Sequence, residues 1–385
     1  MNNKKFSQTM DNVKTLAPLI KENAQKAEAN QSYPSEVIGE VRRLKISNAF
    51  LPQNNTSELL SIKEMLELWE EQASQDGSYG WLSIANALAS ANCAAYLPEK
   101  GYDAVFGGNN DVYIAGQYFA NGKGSAVDEG YIIEGGWQFG SGISHADWVV
   151  AGFVPINDGR VEKMEDGTPN IMIAVVPSKS VIIEENWDVM GLSATGSFDY
   201  RIESHFVPSY MIFPLYTKKK ERGDSKFDLG IMPMAALSHG SWALGMAKRM
   251  LSEIHELCSK KVRTGDSNSI SAKMTFQNDY ANSVAKLQGA KLFLINKFEK
   301  LVSEYESEAP KNVLDMCHAE LRLAACHATN VSVDVCNFVH SSAGTIASRK
   351  NNVMERYFRD IHFGKQHFVV NEKAQVDAAR ILLGA

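Results

Sequence analysis

The chain has 385 residues, 44% hydrophobic and 22% charged, with a formal net charge of −6, the make-up of a globular protein long enough for two or three domains. Mild acidity without a sustained basic stripe argues against nucleic acid as a partner, and no run of about 18 apolar residues is present to span a membrane. The polar start Met1-Asn-Asn-Lys-Lys-Phe-Ser and the scattered Cys93, Cys258, Cys317, Cys326 and Cys336 match neither a secretory leader nor a disulfide framework, so a reduced, cytoplasmic protein is expected.

Residues 6 to about 106 read as helices. Leu16, Leu19 and Ile20 open an amphipathic pattern, Tyr33-Pro34-Ser35 precedes Val37 to Leu44, and Ser61–Ala73 and Trp81–Tyr96 carry further helical periodicity. From about residue 111 the pattern becomes β-rich. Val112–Phe119, Gly130–Glu134, Trp148–Val154 and Ile171–Val176 are short runs separated by glycine, proline and Asn-Asp turns. Asp199 to Pro208 alternates, placing Tyr200, Ile202 and Phe206 on one face and Asp199, Arg201, Glu203 and His205 on the other. The basic run Lys218-Lys-Lys-Glu-Arg222 is expected to be a solvated loop.

After about residue 225 long helical patterns return. Leu237 to Cys258, Leu287 to Tyr305, Leu314 to Phe338 and the segment 353–382 predict four long helices and hence an antiparallel four-helix bundle. The expected fold is α+β, with domains at 1–110 (helical), 111–224 (β-barrel) and 225–385 (bundle). Read as a helix, Val353 to His367 sets Arg356 and Asp360 one turn apart for an ion pair, with His367 returning to nearly the same face.

Several chemistries are absent. Gly140-Ser-Gly-Ile-Ser-His145 matches only half of a Gly-x-Gly-x-x-Gly dinucleotide motif. There is no Walker loop and no Gly-x-Ser-x-Gly elbow. Cys317-His318 and Cys326-His327 are out of phase on one helix, so no metal is expected. Two β segments stand out instead. Trp137-Gln-Phe-Gly-Ser-Gly-Ile-Ser-His-Ala-Asp-Trp148 gathers aromatics around small polar residues, and Gly191-Leu-Ser-Ala-Thr-Gly-Ser-Phe-Asp199 is a hydroxyl-rich turn entering a strand. Exposed backbone N–H groups and hydroxyls beside an aromatic wall suit a flat heteroaromatic ligand.

With this domain order, these segments resemble the acyl-CoA dehydrogenase superfamily over nearly the whole chain. Trp137–Trp148 is similar to the stretch against the flavin ring, and Gly191–Pro208 to the second β-domain motif. Arg263 with Gly265 is similar to the arginine meeting the flavin phosphates. Ser342-Ala-Gly344 and Arg356-x-x-Arg359-Asp360 resemble the C-terminal signature. The dehydrogenases carry a catalytic glutamate about eight residues after the Arg-Asp pair. Here Phe363-Gly-Lys-Gln-His-Phe-Val369 has no carboxylate, and without such a base desaturation of an acyl thioester lacks its first step. Gln53-Asn-Asn-Thr56 also replaces a usual glycine-rich turn.

A histidine at this point resembles the two-component flavin-dependent monooxygenases on the same fold, such as the oxygenases of 4-hydroxyphenylacetate, dibenzothiophene and indole. The resemblance implies reduced FAD (or FMN) from a separate flavin reductase, O2 as co-substrate, a C4a-hydroperoxyflavin, a small phenolic or indolic substrate, and a homotetramer with flavin sites between subunits. It assigns catalytic roles to His367, Ser141 and His145, and flavin contacts to Phe139, Ser141, Ser144, Thr195, Ser197, Arg263, Ser342, Gly344 and Arg359. Trp81, Trp137 and Trp148 are assigned to the substrate pocket. The alternatives are an acyl-CoA dehydrogenase with a relocated base, an N-oxygenase acting on an amine, and a binding module without turnover.

Overall fold

The structure is a computed structural model that describes residues 2–53, 59–108 and 112–384. Most of the Gln53–Thr56 turn and the expected domain boundary at 110–111 lie outside the described residues. Five helices come first: α1 (Asn2–Ala29), α2 (Ser35–Arg43), α3 (Ile62–Gln75), α4 (Gly77–Tyr96) and α5 (Glu99–Phe106). α3 begins on a capping box in which Glu64 N–H donates to Ser61 Oγ at 3.2 Å and Ser61 N–H donates to the Glu64 carboxylate at 2.8 Å. Asp76 ends α3 and caps α4, accepting from Tyr79 N–H at 3.1 Å. α4 is apolar nearly all round and correspondingly buried. Its N-terminal half (Leu82, Ile84, Ala87) packs among the helices, and its C-terminal half (Ala91 to Leu97) packs into the sheet.

The strands β1 (Ile114–Val127), β2 (Gly130–Gly140), β3 (Trp148–Asn157), β4 (Arg160–Val161), β5 (Met172–Pro177), β6 (Ile182–Glu184), β7 (Phe198–Pro208) and β8 (Ile212–Pro214) form one sheet in the order β6-β7-β2-β1-β3-β5-β8, with β4 on β3. Among the described residues only β1 and β3 pair in parallel. Three bulges shape the sheet. On β7, Glu203 and Ser204 together oppose Glu134, so the alternation slips by one residue. Phe206, expected on the face of Tyr200 and Ile202, is therefore 44% exposed, and Val207 is buried in its place. On β2, Gln138 and Phe139 oppose Asp199, and Phe139 is left-handed at φ +65°. On β1, Tyr118 to Asn121 oppose Gly152 alone, which throws Phe119 outward.

The C-terminal part holds α6 (Ile231–Cys258), α7 (Met274–Glu306), α8 (Lys311–Ala343), α9 (Val353–Gly364) and α10 (Glu372–Leu383). Three helices are long; the expected fourth is two short ones. The first of the two ends at Gly364, which lies against the Trp242 ring so closely that a Cβ would overlap it. The chain then turns, and the Arg322 guanidinium donates to the carbonyls of Phe368 (2.8 Å) and Val369 (3.4 Å). His367 is thus in a turn, not on the helical stripe of Asp360. The basic run is also not simply solvated: Arg222 is buried, donating to the carbonyls of Ala94 and Leu97 at 3.2 and 2.8 Å and to Glu99 at 2.6 Å. No described helix is long and apolar enough to cross a membrane.

Candidate active site

The site forms where α4, α6, the turn after α9 and two β-domain loops meet. Its base is a buried ionic cluster. Asp76 accepts from Tyr33 Oη (2.8 Å) and Arg356 Nε (3.1 Å) as well as from Tyr79 N–H. The predicted Arg356–Asp360 pair therefore does not form: Arg356 crosses to α4, and Asp360 Oδ1 accepts from Leu192 N–H at 2.6 Å. Asp360 Oδ2 is buried without a hydrogen-bond partner. Burial, then the charge of Asp76, pushes the Asp360 carboxyl up to about 7.

Asp360 fixes the 191–197 turn, where Leu192 has φ +56° and a Cβ on Gly191 would come within 2.6 Å of the Arg359 carbonyl. From this turn a hydroxyl chain runs to α4. Thr195 Oγ1 donates to Leu192 O (2.7 Å) and lies 2.6 Å from Ser197 Oγ, which lies 2.7 Å from Ser141 Oγ. Trp81 Nε1–H donates to Ser141 Oγ at 3.2 Å. The fixed donor at one end and the fixed acceptor at the other set one direction of hydrogens, Trp81 to Ser141 to Ser197 to Thr195 to Leu192 O, which leaves Ser141 a second lone pair for an incoming N–H. Phe139, held on its bulge, is half exposed and meets Trp187 edge-on at 5.8 Å; Trp187 meets Phe363 edge-on at 5.7 Å.

Above this chain stands a pair of imidazoles. The rings of His239 (α6) and His367 stack at 4.2 Å, 14° apart. Trp81 stands edge-on to His239 (5.2 Å), His367 (5.4 Å) and Trp242 (5.0 Å). Phe368 leans on His367 and meets the bulged Phe119 at 4.9 Å. Burial draws the His239 pKa down to about 4 and holds His367 well below the ordinary histidine range, reinforced by His239 and Arg322. Both rings are neutral near pH 7. His367 Nδ1 is buried with no partner.

The structure thus brings together Ser141, Thr195, Ser197, Trp81 and His367, with Phe139 beside them, but leaves other sequence candidates elsewhere. Ser144 is exposed and outside the hydroxyl chain. His145 Nε2 pairs with Ser32 Oγ at 2.9 Å, tying its loop to the α1–α2 linker. Trp137 belongs to the sheet core: it stacks on Tyr200 at 5.3 Å, and its Nε1–H serves the carbonyls of Gly152 (2.9 Å) and Phe119 (3.2 Å). Trp148, opening β3, packs in the same core. Arg359 spends each nitrogen inside the protein, on Glu355, Glu28 and the Met190 carbonyl. Arg263 does meet Ser341 and Ser342, donating from Nη2 to their carbonyls at 3.2 and 3.3 Å. They border a separate cleft of about 570 Å³, lined also by Lys286, Asp279 and Asp334. Gly344, left-handed at φ +62°, has open space where a Cβ would stand.

Sequence reasoning missed His239 and Trp242. Both sit in Ala236-Leu-Ser-His-Gly-Ser-Trp242, a patch of small and polar residues inside an otherwise apolar helix, which was the available signal. A flavin fits these residues. Reduced flavin presents N–H donors and carbonyl acceptors along one edge; Ser141 offers the matching lone pair, the aromatics offer walls, and Arg263 retains Nη1 and Nε for a phosphate.

Comparison with known proteins agrees. The family model for the acyl-CoA dehydrogenase C-terminal domain matches residues 237–372. Indole-3-acetate monooxygenase of Acinetobacter baumannii is 26% identical over 92% of this chain and 89% of its own. The oxygenase subunit HsaA, a flavin-dependent monooxygenase of Rhodococcus jostii, is 24% identical over 93% of each chain. XiaF from a Streptomyces species, solved with FADH2 and glycerol, superposes with a TM-score of 0.87 over 100% of this chain and 97% of that one, at 16% identity. Residues 237–372 thus match the acyl-CoA dehydrogenase C-terminal domain, and over nearly its whole length the chain is similar to oxygenase subunits of flavin-dependent monooxygenases.

Proposed function

We propose that this chain is the oxygenase component of a two-component flavin-dependent monooxygenase that hydroxylates a small phenolic or indolic ring. One observation carries the reading: where a dehydrogenase needs a carboxylate, the chain places a neutral imidazole, His367, in an aromatic box beside a directed hydroxyl chain. The nearby buried carboxylates do not replace it: Asp76 is spent on Arg356 and Tyr33, and Asp360, bound to Leu192 N–H through Oδ1, has its other oxygen sealed from solvent.

Reduced flavin, supplied by a separate reductase, would activate dioxygen at the site. Ser141, Ser197 and Thr195 would orient the ring edge, with Phe139 beside it. Arg263 and the Ser342–Gly344 segment would take the phosphates, and room there for an adenine tail favours FAD over FMN. Trp81, Trp242 and Phe368 exclude water, which strengthens every polar contact inside. His367, neutral, presents a ring N–H to an oxygen atom of the substrate or of dioxygen. Arg263's cleft shares no residue with the hydroxyl chain, which supports a homotetramer in which one copy's cleft completes another's site. Exposed Met274, Leu292 and Met316 supply apolar surface on α7 and α8 for that assembly.

The test is to mix the protein and chemically reduced FAD with ¹⁸O₂ and a panel of phenols and indoles, then weigh the products. One labelled oxygen in a hydroxylated ring supports the reading. Desaturation of an acyl-CoA with an artificial electron acceptor, and no label in any ring, overturns it.

A further inference from the structure

His239 lies on a helix buried along most of its first five turns and is itself 7% exposed. A core histidine usually spends both ring nitrogens on the protein. This one spends only Nδ1, which lies 2.8 Å from the Ala235 carbonyl oxygen. A carbonyl only accepts, so Nδ1 carries the hydrogen and Nε2 presents a lone pair. Ser238 Oγ, 3.4 Å from the same Nδ1, gives its own hydrogen to Ala235 O. Nε2 has no partner among the described residues, yet it is not among the atoms sealed from solvent. An acceptor is therefore held open inside an aromatic box.

His367 is complementary. Its Nδ1 is sealed and unpartnered. A sealed N–H is rarer in folded proteins than an under-used acceptor, so the hydrogen belongs on Nε2. The two stacked rings then expose one acceptor, on His239, and one donor, on His367. Trp81 stands edge-on to both and bounds the space.

We propose that His239 is a substrate-binding residue that accepts, at Nε2, the ring N–H or O–H of a flat bicyclic substrate, and so selects rings bearing such a hydrogen over isosteres lacking it. The proposal rests on the monooxygenase reading for what happens after binding, but binding itself needs only this chain. His239 moves no proton: the ring is too weak a base to take one from an indole or phenol. Its work is discrimination, because an isostere without the hydrogen leaves the buried lone pair unmatched.

The experiment compares indole with benzofuran, which keeps the bicyclic outline and replaces N–H by oxygen. Each is titrated into the purified protein by isothermal titration calorimetry. Indole is expected to bind about tenfold more tightly, the equivalent of about 1.4 kcal/mol. His239→Phe brings the ratio to about one, and His239→Gln, whose amide oxygen reaches the same region, keeps most of it. His367→Ala leaves the ratio near that of the wild-type protein. Equal binding of the two rings by the wild-type protein overturns the inference even if ¹⁸O enters an indole; that result leaves the monooxygenase reading standing. A ratio that collapses in His367→Ala and survives in His239→Phe also overturns it. Strong discrimination without hydroxylation sinks the monooxygenase reading and leaves His239's role intact. Failure of either ring to bind counts against both.

Discussion

Two residues carry opposite burial effects on titration. His367 is held neutral in an aromatic box with Nδ1 unmatched, so His367→Ala is expected to lower hydroxylation by about 100-fold, within the range for a positioned acid or base. Binding of reduced FAD should change only a few-fold; quenched-flow product analysis and an anaerobic titration measure the two. Asp360 is the reverse case, with a carboxyl raised from 3.8 to about 7 by burial. A raised carboxylate binds its proton more tightly folded than unfolded. Its stability is whole below about pH 4 and is lost as pH rises through about 7, by on the order of 4 kcal/mol at most. Asp360→Asn keeps an acceptor for Leu192 N–H and removes this loss. Thermal melts should show the variant gaining on the wild-type protein between about pH 4 and 7; parallel curves would show that Asp360 stays ionised.

At the level of elements, the site depends on interruptions rather than on regular structure. Trp137→Phe removes the N–H that serves the Gly152 and Phe119 carbonyls across the β1 bulge. The expected cost is about 1–3 kcal/mol in denaturant unfolding, with Phe119 released from Phe368. Gly364→Ala forces a methyl into the Trp242 ring, for a similar cost by overpacking, and should also weaken ring binding because Trp242 backs Trp81. These interruptions explain what was legible in the sequence. Helices and strands were, because apolar periodicity reports burial: α4, α6 and β7 lie where the pattern put them. The turns that carry the Ser141, Thr195 and Ser197 hydroxyls were, because glycine marks them, although Thr195 and Ser197 are buried rather than exposed. The slip at Glu203–Ser204 and the end of α9 were not, since one extra residue in a strand or a helix ending early leaves the apolar pattern on either side unchanged. Trp137 misled for the same reason: an aromatic in a polar turn reads the same whether it faces a ligand or a core. His239 was hidden by the apolar helix around it.

At the scale of the molecule, α4 belongs to both apolar cores, its first half among the helices and its second half in the sheet. The helical and β parts should therefore not melt separately. Far-UV dichroism, dominated by helices, and near-UV dichroism, which senses Trp137 stacked on Tyr200, are expected to give coincident thermal transitions. Two resolved midpoints would show that α4 does not couple the cores.

Trp81 links the site's two halves, its N–H on Ser141 and its edge against both imidazoles. An indole so placed is a built-in optical probe. Its emission colour follows the dipole at Ser141, and its lifetime follows whether a neighbouring imidazole is charged. With the other five tryptophans replaced by phenylalanine, one photophysical signal would report flavin arrival at the hydroxyl chain and aromatic arrival at the histidines, and the order in which the two occur.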